Sequence, residues 1–384
     1  MDHTENKVIE YYKHFHSHPE LSFQEFETTK KIKEILTEHH IEVLNLPLAT
    51  GLVAVVGKGD RSIALRADID ALPITEETDL PYKSQHQNIM HACGHDSHTS
   101  ALLGTALLLK EQEDKLQGKV LLVFQPAEEA PGGAQKIIDT KVLDPIEAIF
   151  GIHSDSTSKV GTLTIRKGPT HASVERFKLI FKGIGCHAAH PNDGVDPIIA
   201  ASQFVTAAQS IVSRNVHPQQ ACVVSITHLE AGSTWNVIPQ SALLEGTIRT
   251  FDKDTRTIAK NRLVQIANGI AATFNLTVDF SWEIEVGNTF NDEQLASFAK
   301  TVALKDNFEV QEGQPSTGGE DFALYQEFKK GLFILFGTGK SAPAHNPKFT
   351  IDVNAIYPVS KYLANLAQDY FTTQEQAWAQ LMKQ

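Results

Sequence analysis

Four short β-rich runs, 52–56, 62–65, 119–124 and 148–152, alternate with helical patterns through the first half of the chain. That alternation restricts the fold to a layered α/β domain with a largely parallel sheet, because each parallel strand must be reached by a crossover. Helical patterns at 5–16 and 23–39 flank the turn His18-Pro19-Glu20, and a third at 99–110 is apolar at Leu102, Leu103, Ala106, Leu107 and Leu109. A polar cluster follows three of the strands in turn: RADIDALP the second, QPAEEAPGGA the third, and His153 the fourth. In open α/β sheets ligands bind beyond the carboxyl ends of the strands. Three clusters far apart in sequence can therefore converge in space.

From about residue 173 the texture changes. Strand patterns at 176–182, 221–229, 242–250 and 277–284 and helical patterns at 196–214 and 255–274 follow the order βαββαβ, that of a ferredoxin-like sandwich. The tail from 288 returns to mixed α/β, through TGGEDFALY, the apolar run 332–336 and PAHNPKF. At 384 residues the chain exceeds what one core usually supports. The expectation is an α/β domain built from 1–172 and 288–384, with a mixed, largely parallel sheet, interrupted by an inserted ferredoxin-like α+β domain at 173–287.

The densest chemistry lies in HACGHDSH, residues 91–98: three histidines, a cysteine and an aspartate in eight positions. Thiolate with imidazole suits zinc and its first-row neighbours. A lone histidine is more often structural, and the clustering is what reverses that reading. Glu128 and Glu129 follow a strand and a proline. Neighbouring side chains of an extended segment point apart, so one carboxylate can bind a metal while the other acts as a general base. The bland alternative is a solvated acidic pair. Asp68 and Asp70 also stand at a strand end, where either could orient a ligand imidazole or merely precede the turn at Pro73. Cys93, His95, Glu129, His153 and His345 would supply five ligands, more than one tetrahedral zinc takes. Five ligands with a bridging water suit two divalent ions about 3.5–4 Å apart. Mn, Zn, Co and Ni all tolerate the mix. Cys93 as a nucleophile with His95 as its base is the rival, and it leaves the glutamate pair without a task. GxSxG and Walker-type patterns are absent from the sequence.

Composition narrows the partners. A net charge of −12 argues against nucleic acid and anionic membranes. The opening MDHTENKVIEYYKHFHSHPELSF is polar, so no secretory leader is expected, and no segment is apolar enough to span a membrane. Three widely spaced cysteines, Cys93, Cys186 and Cys222, make no disulfide framework and fit a reducing cytoplasm.

Nearly end to end, the motifs HPELSFQE, LRADIDALPI, MHACGHDSHT, FQPAEE, GCHAAHP, DPI, SRNV, WNVIP, GTIRTF, GGEDFALY and AHNPKF resemble the metallo-amidohydrolases grouped with aminoacylase, carboxypeptidase G and succinyl-diaminopimelate desuccinylase. The resemblance is greatest to the branch of hippurate hydrolase, indoleacetyl-amino-acid hydrolases and bacterial N-acetyl-amino-acid deacetylases. It implies a two-metal catalytic domain and a lid domain that also dimerises, in an assembly of two subunits or more. It implies Cys93, His95, Glu129, His153 and His345 as metal ligands, Glu128 as the catalytic base and Asp70 as support for the metal site. In the lid it implies His187 as a stabiliser of the tetrahedral intermediate, with Asn236 and Arg249 as substrate-binding residues. The implied reaction is hydrolysis of N-acyl, foremost N-acetyl, amino acids. A dipeptidase or carboxypeptidase of the same group is the alternative, and a catalytically silent metal-binding homologue is another. Two departures stand out: Cys186 occupies a place where relatives carry glycine, and SDSTSKVG follows His153 where many carry a proline-containing segment.

Overall fold

The computed structural model describes residues 3–373. The expected domain limits 1–172 and 288–384 therefore run at both ends beyond the described residues. The described residues divide into two compact units: 3–168, 290–314 and 324–373 form the larger, and 169–289 and 315–323 the smaller.

The larger unit is built on an eight-stranded sheet. Its order is Glu42–Val43, Leu52–Val56, Lys119–Gln125, Ser62–Asp68, Ala148–Asp155, Lys330–Gly337, Thr162–Thr164 and Glu309–Gln311. The four strands from Lys119–Gln125 to Lys330–Gly337 run parallel, and antiparallel pairings flank them. The parallel centre is buried on both faces, as βαβ crossovers require. The run expected to end at Leu65 continues as a fully buried strand to Asp68. Its charges survive there because they satisfy one another: Arg66 Nη1 donates to Asp68 Oδ2 at 2.6 Å and Arg66 Nε to Gln125 Oε1 at 2.8 Å. Likewise the run expected to end at Ile152 extends to Asp155, which places His153 inside a strand.

The helix His95–Glu111 is buried on every side, so its sequence carries little amphipathic signal. It packs against the helices His3–Ser17 and Ile356–Thr372. Gly104 permits this approach: a Cβ there would sit 2.5 Å from Ser360 Oγ and 2.6 Å from Val8 Cγ2. Glycine costs a helix interior about 1 kcal/mol, and here it admits two neighbours at backbone distance.

In the smaller unit an antiparallel sheet ordered Cys222–Ala231, Ser241–Thr250, Val174–Lys182 and Thr277–Val286 is joined by the helices Pro197–Ala208 and Lys253–Thr273. This is the βαββαβ connectivity of a ferredoxin-like sandwich. Burial alternates along Ser241–Thr250, and Phe177, Leu179, Phe181, Phe204 and Leu263 share one core. Asp196 caps the first helix by accepting from Ile198 N at 2.8 Å, with Pro197 in its first turn. Asp252 caps the second through Thr255 N at 2.7 Å. The first helix is shorter than its pattern, ending at Ala208 before a wider turn at Ile211–Asn215. The fold class is thus two-domain α/β with a separate α+β unit. No helix among the described residues is long and apolar enough to cross a membrane.

Candidate metal centre

The carboxyl ends of the parallel strands and the segments beyond them bring six of the expected residues, Cys93, His95, Glu128, Glu129, His153 and His345, together within the larger unit. The turn at residues 91–94 enters the helix His95–Glu111 through Gly94, at φ +89°, where a Cβ would meet Ser154 Oγ at 2.4 Å. That turn aims Cys93 and His95 to one side. Cys93 Sγ lies 3.4 Å from His153 Nε2, and ligand atoms of Cys93, His95 and His153 lie within 4.8 Å of one another. The same holds for Cys93, Glu129 and His345, and for His95, Glu128 and Glu129. His345 Nε2 stands 3.1 Å from Glu129 Oε1, and its backbone N–H donates to Ala92 O at 2.7 Å, tying the distant loop to the Cys93 turn.

Two of the imidazoles, those of His95 and His153, are held from behind. His95 Nδ1–H donates to Asp70 O at 2.9 Å and faces Asp70 Oδ1 at 3.1 Å. His153 Nδ1–H donates to Ser154 O at 2.8 Å. Both therefore turn Nε2 toward the cluster: that of His153 meets Cys93 Sγ, and that of His95 is buried without a hydrogen-bond partner. A bare buried nitrogen costs about 1–3 kcal/mol, unless an electron-pair acceptor meets it. Nitrogen, sulfur and carboxylate donors converging on such an atom fit a borderline divalent ion. Asp70 is itself anchored by Ser22 Oγ at 2.7 Å and by Glu129 N at 3.0 Å, so one carboxylate sets both His95 and the glutamate loop. Glu128 Oε2 lies 3.9 Å from His95 Nε2. The loop makes its bend at Ala127, φ +52°, whose N–H donates to Glu25 Oε1 at 2.8 Å. Gly133 packs beneath it, where a Cβ would strike Pro126 O and Ala127 O at 2.2 Å.

The electrostatics follow from burial and these partners. Burial pushes the Cys93 thiol far above its ordinary value. Burial opposes protonation of His95, but Asp68, Asp70 and Cys93 outweigh it and raise the group well above the usual range. His345 is raised by its contact with Glu129.

Sequence reasoning missed how far the support extends. His98 donates from Nδ1 to Asp68 Oδ1 at 2.6 Å and accepts from Ser154 N at Nε2 at 2.8 Å. Asp68, His95 and His98 also converge within 4.8 Å, yet both nitrogens of His98 are committed to the protein. Burial pulls His98 down to about 4. Asp96 binds His16 Nδ1 at 2.6 Å, and His16 Nε2 reaches Glu76 Oε1 at 3.2 Å. The HSHP segment carried that signal only as another histidine.

The residues expected in a lid, His187, Asn236 and Arg249, lie in the smaller unit. His187 is exposed on the two-residue strand Cys186–His187, paired with Val237–Ile238 so that Val237 faces His187. Ala188 N donates to Asn236 O at 3.0 Å, so His187 and Asn236 belong to one local structure. Arg249 stands apart on the strand Ser241–Thr250, its Nη1 donating to Ile248 O at 3.1 Å and to Thr247 Oγ1. Cys186 causes no left-handed strain, and Gly194 makes room for it: a Cβ there would lie 2.5 Å from Cys186 Sγ.

The sequence profile of peptidase family M20/M25/M40 matches residues 64–369. The chain belongs to that family. It is 46% identical over 375 residues to N-acetyl-L-cysteine deacetylase of Bacillus subtilis (strain 168), covering 97% of this chain and 90% of the relative. It is 35% identical over 363 residues to thermostable carboxypeptidase 1 of Saccharolobus solfataricus, covering 92% of each. Among solved structures, a dinuclear metal-binding peptidase of the M20 family from Bacillus subtilis superposes with a TM-score of 0.87 at 41% identity, over 97% of this chain and 99% of that one. Family and relatives together make the chain an enzyme of the metallo-amidohydrolase type.

Proposed function

We propose that this enzyme hydrolyses the amide of N-acyl amino acids, N-acetyl ones foremost, at a centre of two divalent ions held by Cys93, His95, Glu129, His153 and His345. The observation that carries the reading is the buried Nε2 of His95, without a hydrogen-bond partner, facing a thiol and two carboxylates. When bound, Mn, Zn, Co or Ni ions supply an acidified water and polarise the scissile carbonyl. Glu128, with a side chain only 12% exposed, takes the proton from the attacking water and returns it to the leaving amine. Asp70 holds His95 in the tautomer that leaves Nε2 bare. His187 donates to the developing oxyanion. Asn236 and Arg249 hold the substrate carboxylate, Arg249 through its planar fork. In this reading 1–172 with 288–384 is the catalytic domain, and 173–287 is a lid through which two subunits pair in the cytoplasm.

The greater identity to a deacetylase than to a carboxypeptidase favours acyl-amino acids over peptides. The test is amine release from N-acetyl amino acids, including sulfur-containing ones, by chelated protein and by protein reconstituted with each metal. Metal-restored release from acyl-amino acids is the expected result. Cleavage of unblocked dipeptides alone would move the enzyme to the dipeptidase reading.

A further inference from the structure

Glu25 occupies the N-cap of the helix Phe26–Glu38, yet its side chain makes no cap hydrogen bond. Short side chains such as Ser, Thr, Asp and Asn usually fill that position and accept from the N–H two or three residues on. Here Glu20 does so from outside the helix, accepting from Glu27 N at 3.2 Å and from Thr28 N at 2.8 Å. The carboxyl of Glu25 is thereby released from its own helix. It is fully buried, and it accepts from Ala127 N at 2.8 Å, 102 residues further along the chain. Burying a carboxyl is costly, and burial pushes that of Glu25 above its usual range, with Asp70 adding to the rise. The helix draws nothing from this side chain in return; the loop that carries Glu128 does.

Ala127 immediately precedes Glu128 and stands at φ +52°. That left-handed backbone is unfavourable for any residue with a Cβ, and strained positions persist only where their surroundings over-determine them. Three contacts do so here. Glu25 takes the Ala127 N–H. Gly133 closes on Pro126 O and Ala127 O, where a Cβ would lie at 2.2 Å. Asp70 Oδ2 accepts from Glu129 N at 3.0 Å. Two buried carboxyls therefore bracket Glu128, one on the N–H before its own and one on the N–H after. Both trace to the segment 20–25, because Ser22 Oγ donates to Asp70 Oδ2 at 2.7 Å. The Asp70 hook also orients His95; the Glu25 hook falls on the turn that aims Glu128.

We propose that Glu25 is a positioning residue for Glu128: by holding the Ala127 N–H it fixes the left-handed turn that carries the Glu128 carboxylate toward the centre, with Oε2 3.9 Å from His95 Nε2. The role rests on the reading of Glu128 as the general base. It draws on an acceptor oxygen at the end of a side chain of glutamate length, and not on negative charge. A general base must lie within hydrogen-bond reach of its proton, so a displacement of about 1 Å lowers the rate by as much as 10²-fold.

Three variants separate length from charge. Glu25→Gln keeps an oxygen within reach of the Ala127 N–H and drops the charge. Glu25→Asp keeps the charge and falls one methylene short, and Glu25→Leu removes the acceptor. Hydrogen–deuterium exchange of the segment 127–133 is followed first, in the chelated full-length protein. Glu25→Asp and Glu25→Leu are expected to exchange there roughly tenfold faster than wild type or more, and Glu25→Gln at the wild-type rate. Turnover of an N-acetyl amino acid by metal-reconstituted protein is followed second. There kcat is expected to fall by about 10²-fold in Glu25→Asp and Glu25→Leu, with KM and metal count at wild-type values, and to return in Glu25→Gln. Unchanged exchange in Glu25→Asp and Glu25→Leu, or a loss in Glu25→Gln as large as that in Glu25→Asp, overturns the role. Should Glu25→Leu fail to fold, the comparison of Gln with Asp decides. Exchange reads the turn without substrate, so it tells a failure of this role from a failure of the base: turnover retained by Glu128→Gln overturns the base, and the exchange pattern does not depend on it.

Discussion

His95 and His98 stand three residues apart on one helix, both fully buried, and they differ in what their second nitrogen meets. His98 donates to Asp68 and accepts from Ser154 N, so its two nitrogens are closed within the protein. His95 is held at Nδ1, and its Nε2 meets no hydrogen-bond partner. The same burial drives His98 down to about 4, while Asp68, Asp70 and Cys93 overcome it at His95. Of these two histidines, the half-committed ring faces the donor atoms of the centre, and the fully committed ring braces it. Buried polar groups are rarely left unmatched, so the distinction can be drawn atom by atom.

The sharpest way to break this contrast is at Glu128. Glu128→Gln is expected to lower turnover by about 10²–10⁴-fold, the usual range for a general base, with bound metal unchanged by elemental analysis. Turnover near the wild-type rate would remove Glu128 from the chemistry. On the bracing side, Arg66→Met strips a partner from the buried Asp68 carboxylate and is expected to cost about 3–5 kcal/mol. In a thermal melt this reads as a clear fall in Tm, while the metal count of the folded protein stays at the wild-type value. An unchanged melt would show that His98 alone satisfies Asp68.

A third outcome concerns pH. Burial opposes charge on His16, but Asp96 and Glu76 outweigh it and raise it to about 9 from an ordinary 6.5. A raised histidine contributes stability that is complete below about pH 6.5 and is lost as pH climbs through 9. Both carboxylate partners are lowered, in keeping with that sign. Wild type is expected to lose up to about 3 kcal/mol between pH 6.5 and 9.5 that His16→Gln does not lose. Parallel pH profiles in denaturant titrations would deny the ion triad. The smallest effect is at Gly104, where alanine would crowd Ser360 and Val8 and is expected to cost about 1–3 kcal/mol. If that substitution also reduced metal content, the helix contact would be positioning His95 and not merely supporting it.

Much of the architecture was legible because alternation and helical periodicity are local. The smaller unit's strands and helices fall within a few residues of their patterns, since each strand has one face on the core. In the large sheet Glu42–Val43, Thr162–Thr164 and Glu309–Gln311 escaped because they are too short to show a period, and the helices Glu293–Lys305 and Ile356–Thr372 lie in a tail read only as mixed α/β. Arg66 to Asp68 reads as the start of a loop because charges seldom enter a central strand, and only a mutual pairing between strands reveals why these do. In HACGHDSH the density pointed to a metal centre, but nothing linear separates His95 from His98. That difference lies in Asp68, Asp70 and Ser154, which arrive from two other strands and the loop beyond one of them.

The order of strands has a consequence for how the chain is made. Lys330–Gly337 inserts between Ala148–Asp155 and Thr162–Thr164, in the heart of the sheet. On the ribosome, the Ala148–Asp155 strand emerges roughly 175 residues before the partner that covers its flank. At about 5–20 residues per second, that apolar edge stands open for some ten to thirty-five seconds in each nascent chain. An open central edge is a template for pairing with a neighbouring polypeptide. Synthesis rate and chaperone supply thus bear on the yield of this enzyme alongside its finished stability.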